Sequence, residues 1–533
     1  MSFPLQQTPR DSSLLPALVF DAADRNPDRV ALTYGAQNLS YGELAAQLRG
    51  FSSALMALGL PRGARVGIYL EKRFETVVAS FGAPAAGCVF VPMNPLLKAE
   101  QVAFIMRDCD VQLLVTSPER LATLQEQLPN CPSLRHIVLT SGAAEGQLDW
   151  ATLLQTPTVP GHRVIDTDMV AILYTSGSTG KPKGVVLSHR NMVAGARSVA
   201  SYLENRASDT LLAALPLSFD AGFSQLTTAF HAGARVVLLN YLMPRDVLKA
   251  MEREKVTGLT AVPPLYIQLS QLEWPAAIGE HLRYFANTGG RMPRETLDAL
   301  RQRVPSALPY LMYGLTEAFR STYLPPSEVD RRPDSIGKAI PNAEILVLRE
   351  DGTPCAPDEP GELVHRGALV GMGYWNDAEK TAERYKLLPA GAPGREAGLQ
   401  LPEYAVFSGD NVRMDAEGFL YFIGRRDEMM KTSGYRVSPT EVEEILYATK
   451  LVGECVAFGA DHPTLGQSIQ VIATPPAGAE AIDMAALLAE CKQRMPAYMV
   501  PAGIEQQAGP LPRNPNGKID RKLLSTAWLE ARG

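Results

Sequence analysis

From Tyr174 to Gly184 the chain reads Tyr-Thr-Ser-Gly-Ser-Thr-Gly-Lys-Pro-Lys-Gly, which gathers glycines, hydroxyl side chains and two lysines into one short run. Gly177, Gly180 and Gly184 let backbone N–H groups close on an anion, Ser176, Ser178 and Thr179 add hydroxyl donors, and Lys181 and Lys183 add charge. A loop of this composition is suited to phosphate. The apolar stretch Met169–Leu173 reads as a buried strand and sets the loop at a strand's carboxyl end. The run is not the P-loop of common NTPases, which spaces its glycines by four residues and follows its lysine with Ser or Thr; here two residues separate Gly177 from Gly180, and Pro182 follows Lys181. A polar hairpin turn is the alternative reading of the same cluster.

Further chemistry-bearing segments follow: Tyr313-Gly-Leu-Thr-Glu317, Ser408-Gly-Asp410, Gly424-Arg-Arg-Asp427, Lys431-Thr-Ser-Gly-Tyr-Arg436 and Pro512-Arg-Asn-Pro-Asn-Gly-Lys-Ile-Asp520. Each alone has an ordinary explanation. Asp410 suits a turn after Gly409, Glu317 a helix cap, Arg425 and Asp427 a solvated turn, and Lys518 an exposed surface.

In their order these segments resemble the motif series of the adenylate-forming superfamily, which contains acyl-CoA synthetases, amino-acid adenylation domains of nonribosomal peptide synthesis, and luciferases. The series runs from about residue 20 to the C-terminus. Tyr313–Ser321 and Arg331-Arg-Pro-Asp-Ser-Ile-Gly-Lys338 further resemble AMP-forming acyl-CoA ligases associated with exosortase A systems. The resemblance implies an acid–thiol ligase that uses ATP and Mg²⁺. A substrate carboxylate attacks the α-phosphate, so the protein supplies position and charge rather than a nucleophile.

By the same resemblance, Thr175, Ser176, Gly177, Ser178, Thr179, Gly180 and Lys183 hold the β and γ phosphates, and Glu317 binds Mg²⁺. Tyr313 stacks on adenine, with Gly289, Gly314 and Thr316 in the same nucleotide site. Asp410 takes the ribose hydroxyls, and Arg425 adds a cation nearby. Lys518 touches both the substrate carboxylate and the α-phosphate. Asp427 is the hinge of a mobile C-terminal domain, and Gly434 clears a path for a phosphopantetheine thiol on coenzyme A or on an acyl or peptidyl carrier protein. Asp220 occupies the position that binds the amino group in amino-acid adenylation domains, and Arg320 a pocket-lining one; the alternative is that the two pair and line a neutral pocket. Two other functions stay open: a fatty or aryl acyl-CoA synthetase without amino-acid recognition, and a nucleotide-binding homologue without catalysis.

The elements that must position these groups alternate. Ser40 and Glu43 form a capping box for a helix to about Leu58, stopped by Gly59; a strand follows at Ala64–Leu70, a helix from about Phe74, a strand near Gly87–Val91, a helix from about Ala99 and a strand at Val111–Thr116. After the phosphate loop come a helix from about Asn191, a strand near Asp209–Leu215, a helix from about Phe223 and a strand at Ala234–Leu239. This predicts an α/β N-terminal domain, residues 1–424, of two doubly wound sheets with a small β subdomain from Ile336 to Arg366. Residues 425–533 form a small α+β domain.

Composition excludes several classes. With 533 residues, 46% hydrophobic and 20% charged, the chain is globular, and its net charge of −6 argues against a nucleic-acid partner. Six scattered cysteines show no metal-ligand spacing. The polar start Met1–Ser13 predicts a cytoplasmic protein, and Thr76–Leu97, broken by Pro84, Pro92 and Pro95, reads as a buried helix and strand rather than a membrane insertion.

Overall fold

The computed structural model describes residues 13–175, 182–389, 391–396, 398–425, 428–432, 435–462, 465–515 and 517–532, with backbone only at 431, 435 and 436. The first sheet has seven strands, in the order Leu148–Asp149, His136–Leu139, Val111–Thr116, Arg65–Tyr69, Val89–Pro92, Met169–Thr175, Lys183–Ser188. All pair parallel except the last two. Short βαβ crossovers produce this order, and local signals begin and end them. Ser40 accepts from the Glu43 amide while the Glu43 side chain returns to the Ser40 amide, so the Tyr41–Ala57 helix starts on a complete capping box, and Gly59 (φ +72°) follows its end.

The second sheet begins with six parallel strands: Val30–Tyr34, Arg235–Leu238, Thr210–Ala213, Gly258–Ala261, Tyr284–Asn287 and Leu308–Tyr313. It continues antiparallel through Thr322–Leu324 and Ser335–Ala339, and Ser335–Ala339 pairs with Leu420–Arg425. The β subdomain thus reaches well past residue 366. Tyr404–Met414, Gly361–Gly367 and Ala343–Leu348 complete it as a direct extension of the second sheet.

One buried cluster draws on both sheets and on the helices Phe74–Ala85 and Asp220–Ala232. Phe81 and Phe90 stack on Phe223 at 5.5 and 4.8 Å between ring centroids, and Phe230 meets Phe81 edge-on at 5.2 Å. Such pairs are worth ~0.5–1.5 kcal/mol beyond the area they bury. They fix the Asp220–Ala232 helix against the first lobe. Its start is fixed by Gly222, where a Cβ would fall 1.6 Å from the Pro216 carbonyl oxygen.

The C-terminal region has its own core and a five-stranded sheet of Met430–Thr432, Tyr435–Val437, Cys455–His462, Gly466–Ala473 and Gly503–Gln506. The large sheet's last strand ends at Arg425 and the small sheet's first begins at Met430; Asp427 and Gly434 lie outside the described residues. Asn94 Nδ2 donates to the Pro515 carbonyl at 2.6 Å, Arg291 meets Glu444 at 2.5 Å, and Lys450 lies 3.8 Å from Glu295, all across the two regions. Among the described residues no helix is long and apolar enough to cross a membrane, no group of three acidic, His or Cys side chains is placed to hold a metal, and the six cysteines are free.

Candidate active site

The strands that flank the candidate phosphate loop pair as a hairpin. Thr175 pairs with Lys183 across antiparallel strands, so a strand at Lys183–Ser188, unpredicted from sequence, precedes the His189–Tyr202 helix. Ser176, Gly177, Ser178, Thr179, Gly180 and Lys181 lie outside the described residues. The hairpin's base is clamped. Tyr174 donates to the Asp108 carboxylate, the Trp375 amide donates to the Gly184 carbonyl at 2.7 Å, and Trp375 Nε1 reaches the Asp108 carbonyl at 2.9 Å.

Glu317 lies in the short turn Thr316–Ala318 that follows the strand Leu308–Tyr313. Its Oε1 accepts from the Tyr374 hydroxyl at 2.5 Å, and its carbonyl accepts from the Gly371 amide at 2.8 Å. Lys183 Nζ lies 5.6 Å from the centre of the Tyr374 ring, so one tyrosine meets both the base of the candidate phosphate loop and the candidate metal carboxylate. Gly314 precedes this turn where a Cβ would come 3.1 Å from the Arg320 Cα.

Asp410 is not in a terminal turn. It lies within the long strand Tyr404–Met414, after a bend at Gly409, whose φ of +72° favours glycine. The Tyr313 hydroxyl donates to Asp410 Oδ2, and Arg425 Nε stands 3.4 Å from Oδ1, which has no hydrogen-bond partner among the described residues. Burial pushes the Asp410 carboxyl above the usual carboxylate range, against the opposing effects of Arg425 and Tyr313. Tyr313 therefore commits its hydroxyl to the carboxylate while its ring lies 6.4 Å from that of Phe422.

Arg384 acts on both carboxylates through its charge. Its Nη1 would lie 2.4 Å from a Cβ on Gly409 and donates to the Phe407 carbonyl at 3.1 Å. Burial works against its charge, but Glu317 and Tyr374 outweigh that and leave its pKa raised. Sequence reasoning missed Tyr374 and Arg384. The run Gly371-Met-Gly-Tyr-Trp375, with glycines leading into two aromatics, was the available signal for the first; nothing distinguished Arg384 from other surface arginines.

Asp220 opens its helix, and its Oδ1 accepts from the Thr316 hydroxyl at 3.2 Å. Arg320, 2% exposed, donates from Nη1 to the Thr288 hydroxyl at 2.9 Å, and the same nitrogen lies 3.8 Å from Asp220 Oδ2. The two charges are paired, as the neutral-pocket reading requires. Their separation nevertheless exceeds a hydrogen bond, so Oδ2 keeps its capacity to accept.

Lys518 arrives from the C-terminal region on a tight loop in which the Asn514 amide donates to the Lys518 carbonyl at 2.8 Å and the Lys518 amide donates to Asn514 Oδ1 at 3.1 Å. Its Nζ lies 3.6 Å from where Gly289 would carry a Cβ, and Gly289 has φ +76°. The residue as a whole is exposed, while its Cε and Nζ lie against cleft walls that include Gly289. Those walls lower its pKa by burial, aided by Arg425 and opposed by Asp220 and Asp410. Lys518, Gly289, Thr288, Arg320, Asp220 and Thr316 thus form one contiguous patch beside Glu317, and Tyr313, Asp410, Arg425 and Arg384 form a second.

The family model for AMP-binding enzymes matches residues 19–375, and that for the AMP-binding enzyme C-terminal domain matches residues 441–518. The L-proline--[L-prolyl-carrier protein] ligase of Streptomyces coelicolor is 31% identical over 92% of each chain. Tyrocidine synthase 3 of Brevibacillus parabrevis is 27% identical over 95% of this chain, which spans only 8% of that protein. Among solved structures, o-succinylbenzoate coenzyme A synthetase of Bacillus subtilis in complex with ATP and magnesium ion matches with a TM-score of 0.80 at 26% identity, over 95% of this chain and 99% of that one.

Proposed function

The chain belongs to the family of AMP-binding enzymes, and we propose that it activates a carboxylic acid as its acyl adenylate and passes the acyl group to a phosphopantetheine thiol. The observation that carries this reading is Lys518, delivered from the C-terminal region to a cleft lined by Gly289 and Asp220 of the N-terminal lobe. One ammonium there can touch a substrate carboxylate and an α-phosphate together and offset the charge that builds as they react. Asp410 fits the ribose: Oδ2 is held by Tyr313, leaving Oδ1 to accept a hydroxyl. Glu317, an oxygen ligand held by Tyr374, fits Mg²⁺, which when bound offsets phosphate charge. Lys183 and Thr175 flank the loop that would hold the terminal phosphates.

The thiol step needs Lys518 withdrawn. Rotation about Asp427 would do this and bring Gly434 to the cleft, with coenzyme A or a carrier protein as acceptor. We place the enzyme in the cytoplasm, where ATP and both acceptors occur.

For the acid we favour an amino acid, because Asp220 Oδ2 retains acceptor capacity beside Arg320 and can meet a substrate ammonium. The second reading, a fatty or aryl acid, draws on the Asp220–Arg320 pair, which already neutralises the pocket. Acid-dependent ATP–pyrophosphate exchange across amino, fatty and aryl acids tests both, together with Asp220→Ala and the double variant with Arg320→Ala. Breaking a buried pair costs ~3–5 kcal/mol, so a purely structural pair predicts a lowered melting temperature for Asp220→Ala, restored in the double variant, with acid preference unchanged. Ammonium recognition predicts selective loss of amino-acid-driven exchange in both variants.

A further inference from the structure

The loop that carries Lys518 is a small hairpin. Arg513 and Ile519 face each other across an antiparallel bridge, the Asp520 amide donates to the Pro512 carbonyl at 2.9 Å, and the Gly517 amide donates to the Asn514 carbonyl at 2.9 Å. Arg513 Nη1 adds a bond to the Gly517 carbonyl at 3.3 Å. With the Asn514–Lys518 bonds these make the hairpin one unit, so a contact at its tip also constrains Lys518.

Pro515 lies at that tip, and Asn94 of the first lobe holds it. Asn94 follows the strand Val89–Pro92, which pairs with the strand leading into the candidate phosphate loop, and is 5% exposed. Its Oδ1 accepts from the Leu96 amide at 2.9 Å and its carbonyl accepts from the Leu97 amide at 3.0 Å, which ties the residue into its own turn. A backbone N–H can only donate, so the atom facing Leu96 is the amide oxygen. Nδ2 is then the atom that meets the Pro515 carbonyl at 2.6 Å. The turn is braced from outside as well: Arg120 donates from Nη1 to the Pro95 carbonyl at 3.0 Å while its Nε pairs with Glu71 at 3.0 Å.

The ion pairs Arg291–Glu444 and Lys450–Glu295 join the same two regions, but they engage the helix Pro439–Ala448 and Lys450 beyond it rather than the hairpin. Losing the Asn94 bond would leave both pairs in place and free the tip. We propose that Asn94 is a positioning residue for the adenylating step: by holding the hairpin tip it sets Lys518 against Gly289. The inference rests on the role given to Lys518 above and adds a residue of the first lobe that acts through that lysine.

Asn94→Asp is the discriminating variant. It keeps an oxygen for the Leu96 amide and puts a second oxygen where Nδ2 was, so the Pro515 carbonyl faces an acceptor. Hydrogen–deuterium exchange of the full chain, without nucleotide or acid, should show the peptide spanning 513–520 exchanging ~5-fold faster or more, with the strand Val111–Thr116 unchanged. With the acid of the amino, fatty and aryl panel that best drives pyrophosphate exchange, that exchange should fall ~5-fold or more relative to thioester formation from the supplied acyl adenylate and pantetheine. The ratio is taken within one protein, so any misfolded fraction cancels. In a Lys518→Ala background the same change should cost less than ~2-fold, because a residue that acts through the lysine has nothing left to position. Unchanged deuterium uptake, an unchanged ratio, or a further loss in the Lys518→Ala background overturns the inference and leaves the role of Lys518 standing. Wild-type pyrophosphate exchange in Lys518→Ala overturns that role, and this inference with it.

Discussion

Tyr313→Phe separates two roles that one side chain could combine. Phenylalanine keeps an aromatic face for adenine, so stacking survives, but the hydroxyl that donates to Asp410 Oδ2 is lost. Burial already holds the Asp410 carboxyl above its ordinary range, and Tyr313 is one of the groups that oppose this by stabilising the charged form. Deleting such a group raises the pKa further, so the protonated form, the weaker acceptor for the ribose, extends to higher pH. A hydrogen bond to a charged group is worth ~1.5–3 kcal/mol, which corresponds to ~10- to 150-fold. KM for ATP should therefore rise by about that factor on the acidic limb of its pH profile and stay within about twofold on the alkaline plateau. Pyrophosphate exchange with ATP varied between about pH 5 and 9, at saturating acid, measures it, and calorimetric binding of AMP checks that ground-state affinity is what moves. A KM raised equally at every pH would show that the hydroxyl only places the ring. A KM unchanged at every pH, with Asp410→Asn impaired, would refute the coupling.

Lys518→Ala should lower pyrophosphate exchange ~10²–10³-fold with little change in ATP affinity, because the proposed nucleotide contacts lie in the other lobe, and thioester formation from a supplied acyl adenylate should survive. Asp427→Pro should keep exchange and lose thioester formation, since a proline ring fixes the φ that a hinge must change; equal loss of both half-reactions would count against the hinge. Lys72 donates from Nζ to the Ala214 carbonyl at 2.9 Å, and burial lowers its pKa from 10.5 to about 7. The folded state then binds this proton less tightly than the unfolded one, so stability should climb as pH rises from about 7 towards 10.5, with a constant penalty below 7 of at most ~5 kcal/mol. Lys72→Met should raise the melting temperature at pH 6 and flatten that climb; a lower melting temperature with an unchanged slope would show that Lys72 carries no such penalty.

Much of the fold was legible because its signals are local. The helix start at Tyr41 falls where Ser40 and Glu43 put it, and the strand Val111–Thr116 and the helix starts at Phe74 and Ala99 fall where apolar periodicity puts them. The strand Lys183–Ser188 was hidden by the glycines and proline that precede it, which read as loop, although its own residues Val185–Leu187 are buried. Leu420–Arg425 was obscured in the same way, since Gly424 and Arg425 resemble a charged turn until Asp410 is placed opposite them. The site divides similarly. Asp410, Glu317 and Lys518 stand in segments whose residue types the chemistry demands. Tyr374 had only the glycine–aromatic run around it as a signal, and Arg384 acts only by where the fold brings it, of which a sequence pattern holds no record.

The hairpin of Val30–Tyr34 and Gln37–Ser40 belongs to the second sheet, yet it is made before any residue of the first. Its partner strand, Arg235–Leu238, leaves the ribosome roughly two hundred residues later. At ordinary rates of synthesis that is a wait of about 10–40 s, with one edge of Val30–Tyr34 unmet while the whole first lobe can close beside it. The earliest strand among the described residues is thus satisfied only after the whole first sheet has been made, and the nascent protein carries an open β-edge through the time it takes to build that lobe.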